Sequence, residues 1–266
     1  MGGGIRLVGN PSGDFPAWEG LDGPSGLLQI YRSQGGADHR GTLLLVHDLP
    51  LERASAANEG NELPYLADRI CSQTRWHVES VRLRGVGGSE GDFSPEGWME
   101  DLAFAVDWLA SRDNGRVWAA GFGFGVAVLL AVSSADDRVA GIACLGPDLR
   151  TDYLRDDPPS SVALLRASGV IRHDGFPPDL AAWAKGFDRL SGRISAGIAA
   201  AAGQGRDMLV VHGADDRSNP PEAARSLAEA SAGGAAAHLL HGAGRRLQAD
   251  PRAAALLVGW LERQVV

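Results

Sequence analysis

Residues 116–147 read RVWAAGFGFGVAVLLAVSSADDRVAGIACLGP. Two short apolar runs, 116–120 and 139–145, have the length and β-branched content of buried strands. Between them a glycine at every second position from Gly121 to Gly125 marks a tight turn, and 124–134 reads as a helix. A strand, helix, strand order of this length describes a crossover between parallel strands.

The same alternation extends outward in both directions. Strand patterns recur at 27–32, placed near a sheet edge, at 42–47 (TLLLVH), 76–83 (WHVESVRL), 208–212 and 237–240, and helical patterns at 62–72, 95–111, 221–230 and 251–263. In the 95–111 pattern Trp98, Leu102, Ala105, Val106 and Leu109 share one face, while Ser94 supplies an N-cap before Pro95. Short strands alternating with amphipathic helices predict an α/β fold, a mostly parallel sheet flanked by helices. The alternation stops between 148 and 205. There a DDPPSS stretch leads into helical patterns at 162–167, 179–185 and 191–201, ending in the Ala-rich SAGIAAAAGQG. This segment is read as a helical cap insertion, 148–205, within a single domain spanning 1–266.

Composition narrows the function classes. With 266 residues, 44% of them hydrophobic, the chain supports one large core without a second globular unit. A net charge of -8 repels phosphate backbones and anionic lipid, so neither nucleic acid nor membrane is expected as a partner. Cys71 and Cys144 lie far apart, which gives no disulfide framework and no zinc spacing and suits a reducing cytoplasm. No apolar run reaches about 20 residues, and the opening residues are glycine-rich rather than basic, so no membrane anchor or signal peptide is expected. No cofactor or metal is indicated.

The 116–147 stretch resembles the nucleophile elbow of the α/β-hydrolase superfamily, Gly-x-Ser-x-Gly, in which a strained turn lifts the central side chain to a helix N-terminus. Its flanks are present as Gly121 and Gly125, but its centre is Gly123. Further motifs follow the order of the esterase and serine-aminopeptidase-like branch. LLLVHDLP (43–50) is similar to the strand end whose loop supplies an oxyanion-hole amide, with Asp48 where the family usually has glycine. RLRGVGGSEGDF (82–93) resembles the loop after the next strand, MLVVHGADDRSNP (208–220) the acid-bearing loop with Asp216 at the acid position, and HLLHGAGRRL (238–247) the closing loop with Arg245 at the histidine position. The resemblance therefore implies an α/β-hydrolase fold with a degenerate triad at Gly123, Asp216 and Arg245, and an oxyanion region at Asp48, Leu49 and Phe124.

Glycine has no side chain to attack with, and a guanidinium stays protonated and only donates hydrogen bonds. Serine hydrolysis is therefore not expected. Three placements of Arg245 are open: paired with Asp216 or Asp215, at the pocket floor binding an anion, or facing solvent. Asp48 either opposes the charge an oxyanion hole exists to stabilise, or turns away and caps its loop. Gly123 either relieves backbone strain or frees space for a ligand. Ser89, His47, His212, His241, Cys71 and Cys144 are read as turn, buried or packing residues rather than replacements for the triad.

Two function classes follow. The first is a protein of hydrolase fold without hydrolase activity, a pseudoenzyme that binds a small molecule under the cap or a protein, with a homodimer among the options. The second is an enzyme of non-nucleophilic chemistry, such as proton transfer or elimination, or of weak ester hydrolysis through activated water.

Overall fold

In the structure, a computed structural model, residues 5–7, 17–113, 115–231, 235 and 237–265 are described. Most of the glycine-rich opening discussed above lies outside them. Among the described residues nine strands form one sheet: β1 (Ile5–Leu7), β2 (Glu19–Gly23), β3 (Gly26–Ser33), β4 (Gly41–Val46), β5 (Trp76–Arg82), β6 (Val117–Phe122), β7 (Val139–Leu145), β8 (Asp207–Gly213) and β9 (Ala237–Leu240). Their order is β1-β2-β3-β5-β4-β6-β7-β8-β9. The first three and β5 pair antiparallel, and everything from β5 to β9 pairs parallel. The 27–32 strand was expected near an edge. It lies third from one, because residues 19–23, a glycine- and acid-bearing run with little strand signal, form a hairpin with it.

Alternate residues of the central strands enter two cores. Leu44, Val46 and Ala119 face one side, and Leu43, Leu45, Trp118 and Ala120 face the other. The second core is closed by α1 (Leu63–Gln73) and α8 (Pro251–Glu262). The first is closed by α2 (Pro95–Ala110) and α3 (Phe124–Ser133), and α7 (Glu222–Ala230) contributes Ala224 and Leu227 to it. Every residue of α3 is buried, as a helix apolar on all sides requires.

Between β7 and β8 lie α4 (Asp152–Arg155), α5 (Pro158–Ser168) and α6 (Leu180–Gly203). The patterns at 179–185 and 191–201 are one helix. Trp183, Phe187, Leu190, Ile194, Gly197 and Ala201 form an unbroken buried stripe at helical spacing, which Gly186 and Gly192 do not interrupt. At Gly197 the helix backbones come so close that an added Cβ would fall on the Leu130 carbonyl of α3. Among the described residues no helix is long and apolar enough to cross a membrane.

Candidate functional site

The site gathers at the carboxyl ends of the central parallel strands, where strand ends and helix starts leave backbone groups unpaired. At the end of β6 the chain turns through Gly123, with φ 53° and ψ -120°, directly into α3. A side chain at that φ is strained, so glycine suits this turn. The flanking glycines are required by contact. A Cβ on Gly121 would meet the Val126 backbone, and one on Gly125 would meet the carbonyl of His47 at the end of β4.

β4 delivers Asp48 to this turn. One carboxylate oxygen, Oδ1, accepts hydrogen bonds from the Leu49 amide at 2.7 Å and the Phe124 amide at 2.8 Å. The other, Oδ2, accepts from Arg245 Nε at 2.7 Å and lies 2.7 Å from Nη2 of the same guanidinium in an ion pair. Both oxygens of the carboxylate are therefore engaged. The two amides converge on a single oxygen at the distances an oxyanion hole requires. Asp48 also takes the volume above Gly123, since a Cβ built there would lie well inside van der Waals contact with its carboxylate.

The expected pairing of Arg245 with Asp216 or Asp215 is therefore corrected: among the described residues its ion-pair partner is Asp48. Asp216 is otherwise engaged. Its Oδ1 accepts from the amides of Ser218 and Asn219, which folds the acid loop into a local turn, and its buried Oδ2 has no protein partner. Asp215 is exposed. Asp48 neither turns away nor stands free beside the amides, because the space left by Gly123 lets it lean into them.

Electrostatics follow from burial. The Asp48 carboxyl, its side chain 15% exposed, is pushed up by desolvation and pulled back by Arg245 and the Phe124 and Leu49 amides. Two amides and a guanidinium surround it, so the carboxylate is the form that fits. Burial draws the Arg245 guanidinium down, but Asp48 more than offsets this and leaves it above its ordinary value. Glu59, in the loop after β4, is pushed up to about 7, first by burial and then by the charge on Asp48. Arg246, next to Arg245, pairs with Glu62 at the start of α1, so two adjacent arginines tie the closing loop to the β4 end and the loop beyond it. Tyr153 of α4 is pushed up by burial and by the charges of Asp148 and Asp48.

The remaining candidates have structural partners. His47 is buried. Its Nε2 accepts from the Leu83 amide, so Nδ1 carries the proton and donates to the Asp48 carbonyl, and burial lowers its pKa to about 4. His212 is buried with Nε2 on the Asn219 carbonyl. Ser89 donates to the Arg82 carbonyl and accepts from the Gln29 amide. His241 is exposed, Cys144 is buried with its thiol pushed up by desolvation, and Cys71 is partly buried. Sequence reasoning missed the Asp48 to Arg245 contact and the part of Glu59 and Tyr153 around it. The available signal was one of charge: two opposite charges, Asp48 and Arg245, stand in loops that follow strands β4 and β9.

No family model matches the chain. An uncharacterised protein of Rickettsia prowazekii is 25% identical over 140 residues, a match that takes in 51% of this chain and only 57% of that protein. Solved structures agree over nearly the whole length. An alpha-beta serine hydrolase homologue from Coxiella burnetii superposes with a TM-score of 0.60 at 18% identity, covering 100% of this chain and 99% of that one. A serine hydrolase without lid from Xanthomonas campestris gives 0.58 at 20% identity over 95% of both chains. A thermophilic esterase from Thermogutta terrifontis gives 0.57 at 18% over 99% of both. The chain has the α/β-hydrolase fold.

Proposed function

We propose that this protein is a pseudoenzyme of the α/β-hydrolase fold, in which the place of the catalytic centre is a structural lock and the molecule works by binding a protein partner. The observation that carries this is the seat of the Asp48 carboxylate. It fills the nucleophile's space, occupies the two amides that would stabilise a tetrahedral oxyanion, and pairs with Arg245. Removing one triad member commonly costs several powers of ten in rate, and here the nucleophile and base positions are both replaced.

Between a ligand under the cap and a partner on the surface, the packing favours the partner. Phe124 is fully buried against Phe93 and Trp98, and of α6 Trp183 meets Phe93 edge-on while Phe187 lies tilted against it. The cap is also held to the body by backbone. The amides of Ala54 and Ala56 donate to Ala167 and Ser168, and the Phe93 amide donates to Val170. The net charge of -8 speaks against nucleic acid and anionic membrane as the partner, and the two free cysteines fit a cytoplasmic setting.

Two measurements test the reading. With a panel of acyl esters and a fluorophosphonate probe, we expect turnover at the buffer rate and no labelling. A labelled serine overturns the proposal. In the second, Gly123→Ser with Arg245→His stays inactive, and turnover appears only when Asp48→Gly is added, because Asp48 otherwise holds the oxyanion amides. The rival of residual chemistry has one observation on its side, the Glu59 carboxyl near 7 beside Asp48. It requires esterase activity that rises through pH 7 and disappears in Glu59→Gln.

A further inference from the structure

The lock has the form of a receptor with its ligand in place. Two amides from different elements, Leu49 after β4 and Phe124 at the head of α3, meet on one oxygen. A guanidinium from the closing loop holds the second oxygen by a hydrogen bond from Nε and the ion pair that goes with it. The object recognised is a planar, two-oxygen anion. The space it occupies is the one a side chain on Gly123 would need, so the cradle is matched in size as well as in charge.

We propose that the cradle formed by the Leu49 and Phe124 amides and Arg245 is a receptor for a small monocarboxylate, kept shut in the native protein by Asp48 acting as a tethered internal ligand. This rests on the reading that the centre is a lock rather than a catalyst. The contact is autoinhibitory in a specific sense. A group attached three bonds from the backbone beside its own site competes at an effective concentration that free carboxylates in solution do not reach. Selectivity follows from the geometry. A carboxylate presents one oxygen to the amide pair and the other to the guanidinium, a shape match that a spherical anion lacks.

The surroundings set how the cradle responds once Asp48 is removed. Glu59 faces it from the loop after β4, Tyr153 from α4, and Asp148 stands near Arg245 and Tyr153. Asp148 and, as pH rises through 7, Glu59 keep the vacated cradle from being strongly positive. Its anion affinity therefore depends on the directed donors rather than on net charge, and a monoanion is the species favoured. Arg245, 29% exposed, has enough contact with water to remain charged without its partner.

The test is chemical rescue. In Asp48→Gly, which removes the Cβ whose place the acetate methyl takes, sodium acetate is expected to raise Tm along a curve that saturates in the millimolar range, while sodium chloride at matched ionic strength gives only the general salt response. The wild type and Asp48→Asn, whose side chain still fills the cradle, show no saturable acetate effect. Adding Arg245→Gln to Asp48→Gly weakens acetate binding at least tenfold. A folded Asp48→Gly that does not distinguish acetate from chloride, or shows no saturation, overturns the proposal. Should that variant not fold, the wild type answers by NMR. The Leu49 and Phe124 amide resonances move with one midpoint, that of the Asp48 carboxyl, on acid titration, and separate midpoints overturn the single cradle. Failure here leaves the absence of hydrolysis standing, whereas a labelled serine in the fluorophosphonate experiment removes the lock reading without touching acetate binding.

Discussion

At the scale of residues, Gly123, Asp48 and Arg245 are one interlocked unit. Gly123 provides volume, Asp48 fills it with charge, and Arg245 neutralises that charge. Each therefore has a consequence for the others. Gly123→Ser forces a side chain into positive φ and against the Asp48 carboxylate, and is expected to cost about 2–5 kcal/mol in denaturant melts. The same change in an Asp48→Gly background should lose only the strain part, so a double-mutant cycle should show coupling of about 1–3 kcal/mol. Arg245→Gln leaves a largely buried carboxylate without its counter-charge. We expect a loss of about 2–4 kcal/mol at neutral pH, at the lower end because both groups keep some water contact. The sign with pH is defined. Without Arg245 the Asp48 pKa in the folded state rises further above its unfolded value, so the variant is closest to wild type in acid and falls behind as pH rises, as thermal melts between pH 4 and 8 should show. The identities of these three residues were plain in the sequence. Which carboxylate meets Arg245 was not, because Asp216 sits at the motif position for an acid while Asp48 reaches the guanidinium only through space that Gly123 vacates.

At the scale of elements, α3 and α6 are where helix packing governs the site's surroundings. The α3 helix carries the Phe124 amide, and α6 crosses it at Gly197, where the Leu130 carbonyl occupies the place of a Cβ. Gly197→Ala gains helix propensity of about 1 kcal/mol but forces two backbones apart. The net expectation is destabilisation of about 1–3 kcal/mol in chemical denaturation, with no gain. If the variant is more stable than wild type, the close approach is not a structural requirement. Sequence periodicity located strands 42–47, 139–145 and 237–240 to within a residue, since each has a compact apolar run. It divided α6 in two, because its glycines and polar residues weaken the local pattern while the buried stripe continues along one face. It also missed the hairpin partner β2, whose residues Glu-Gly-Leu-Asp-Gly carry turn chemistry and become a strand through pairing with β3.

At the scale of the whole molecule, buried carboxyls shape the pH dependence. Glu59 and Glu79 are both pushed up to about 7 from 4.5, each chiefly by burial. Between those values the folded state holds protons that the unfolded chain has released, so each contribution to stability is complete below about pH 4.5 and is lost as pH rises through 7. His47, lowered by burial to about 4, acts in the opposite sense. Its contribution is present above 6.5 and lost as pH falls toward 4. Glu79→Gln should therefore shift the slope of stability against pH between 5 and 6.5 upward by up to about 1.4 kcal/mol per pH unit, and Glu59→Gln by less because that side chain is partly exposed. Urea melts at a series of pH values read both slopes, and an unchanged slope in Glu79→Gln would show that its carboxyl is not held neutral in the fold.

The sequence by itself determined the alternating strands and helices, the glycine-flanked turn at 121–125 and the absence of a serine and a histidine at two motif positions. All of these depend on neighbours within a few residues or on the identity of a single side chain. Only the tertiary structure decided that Asp48, 75 residues before Gly123 and 197 before Arg245, closes the gap between them. The reason is physical: a buried carboxylate takes whichever donors three dimensions bring within about 3 Å, and those donors come from three separate strand ends that periodicity does not connect.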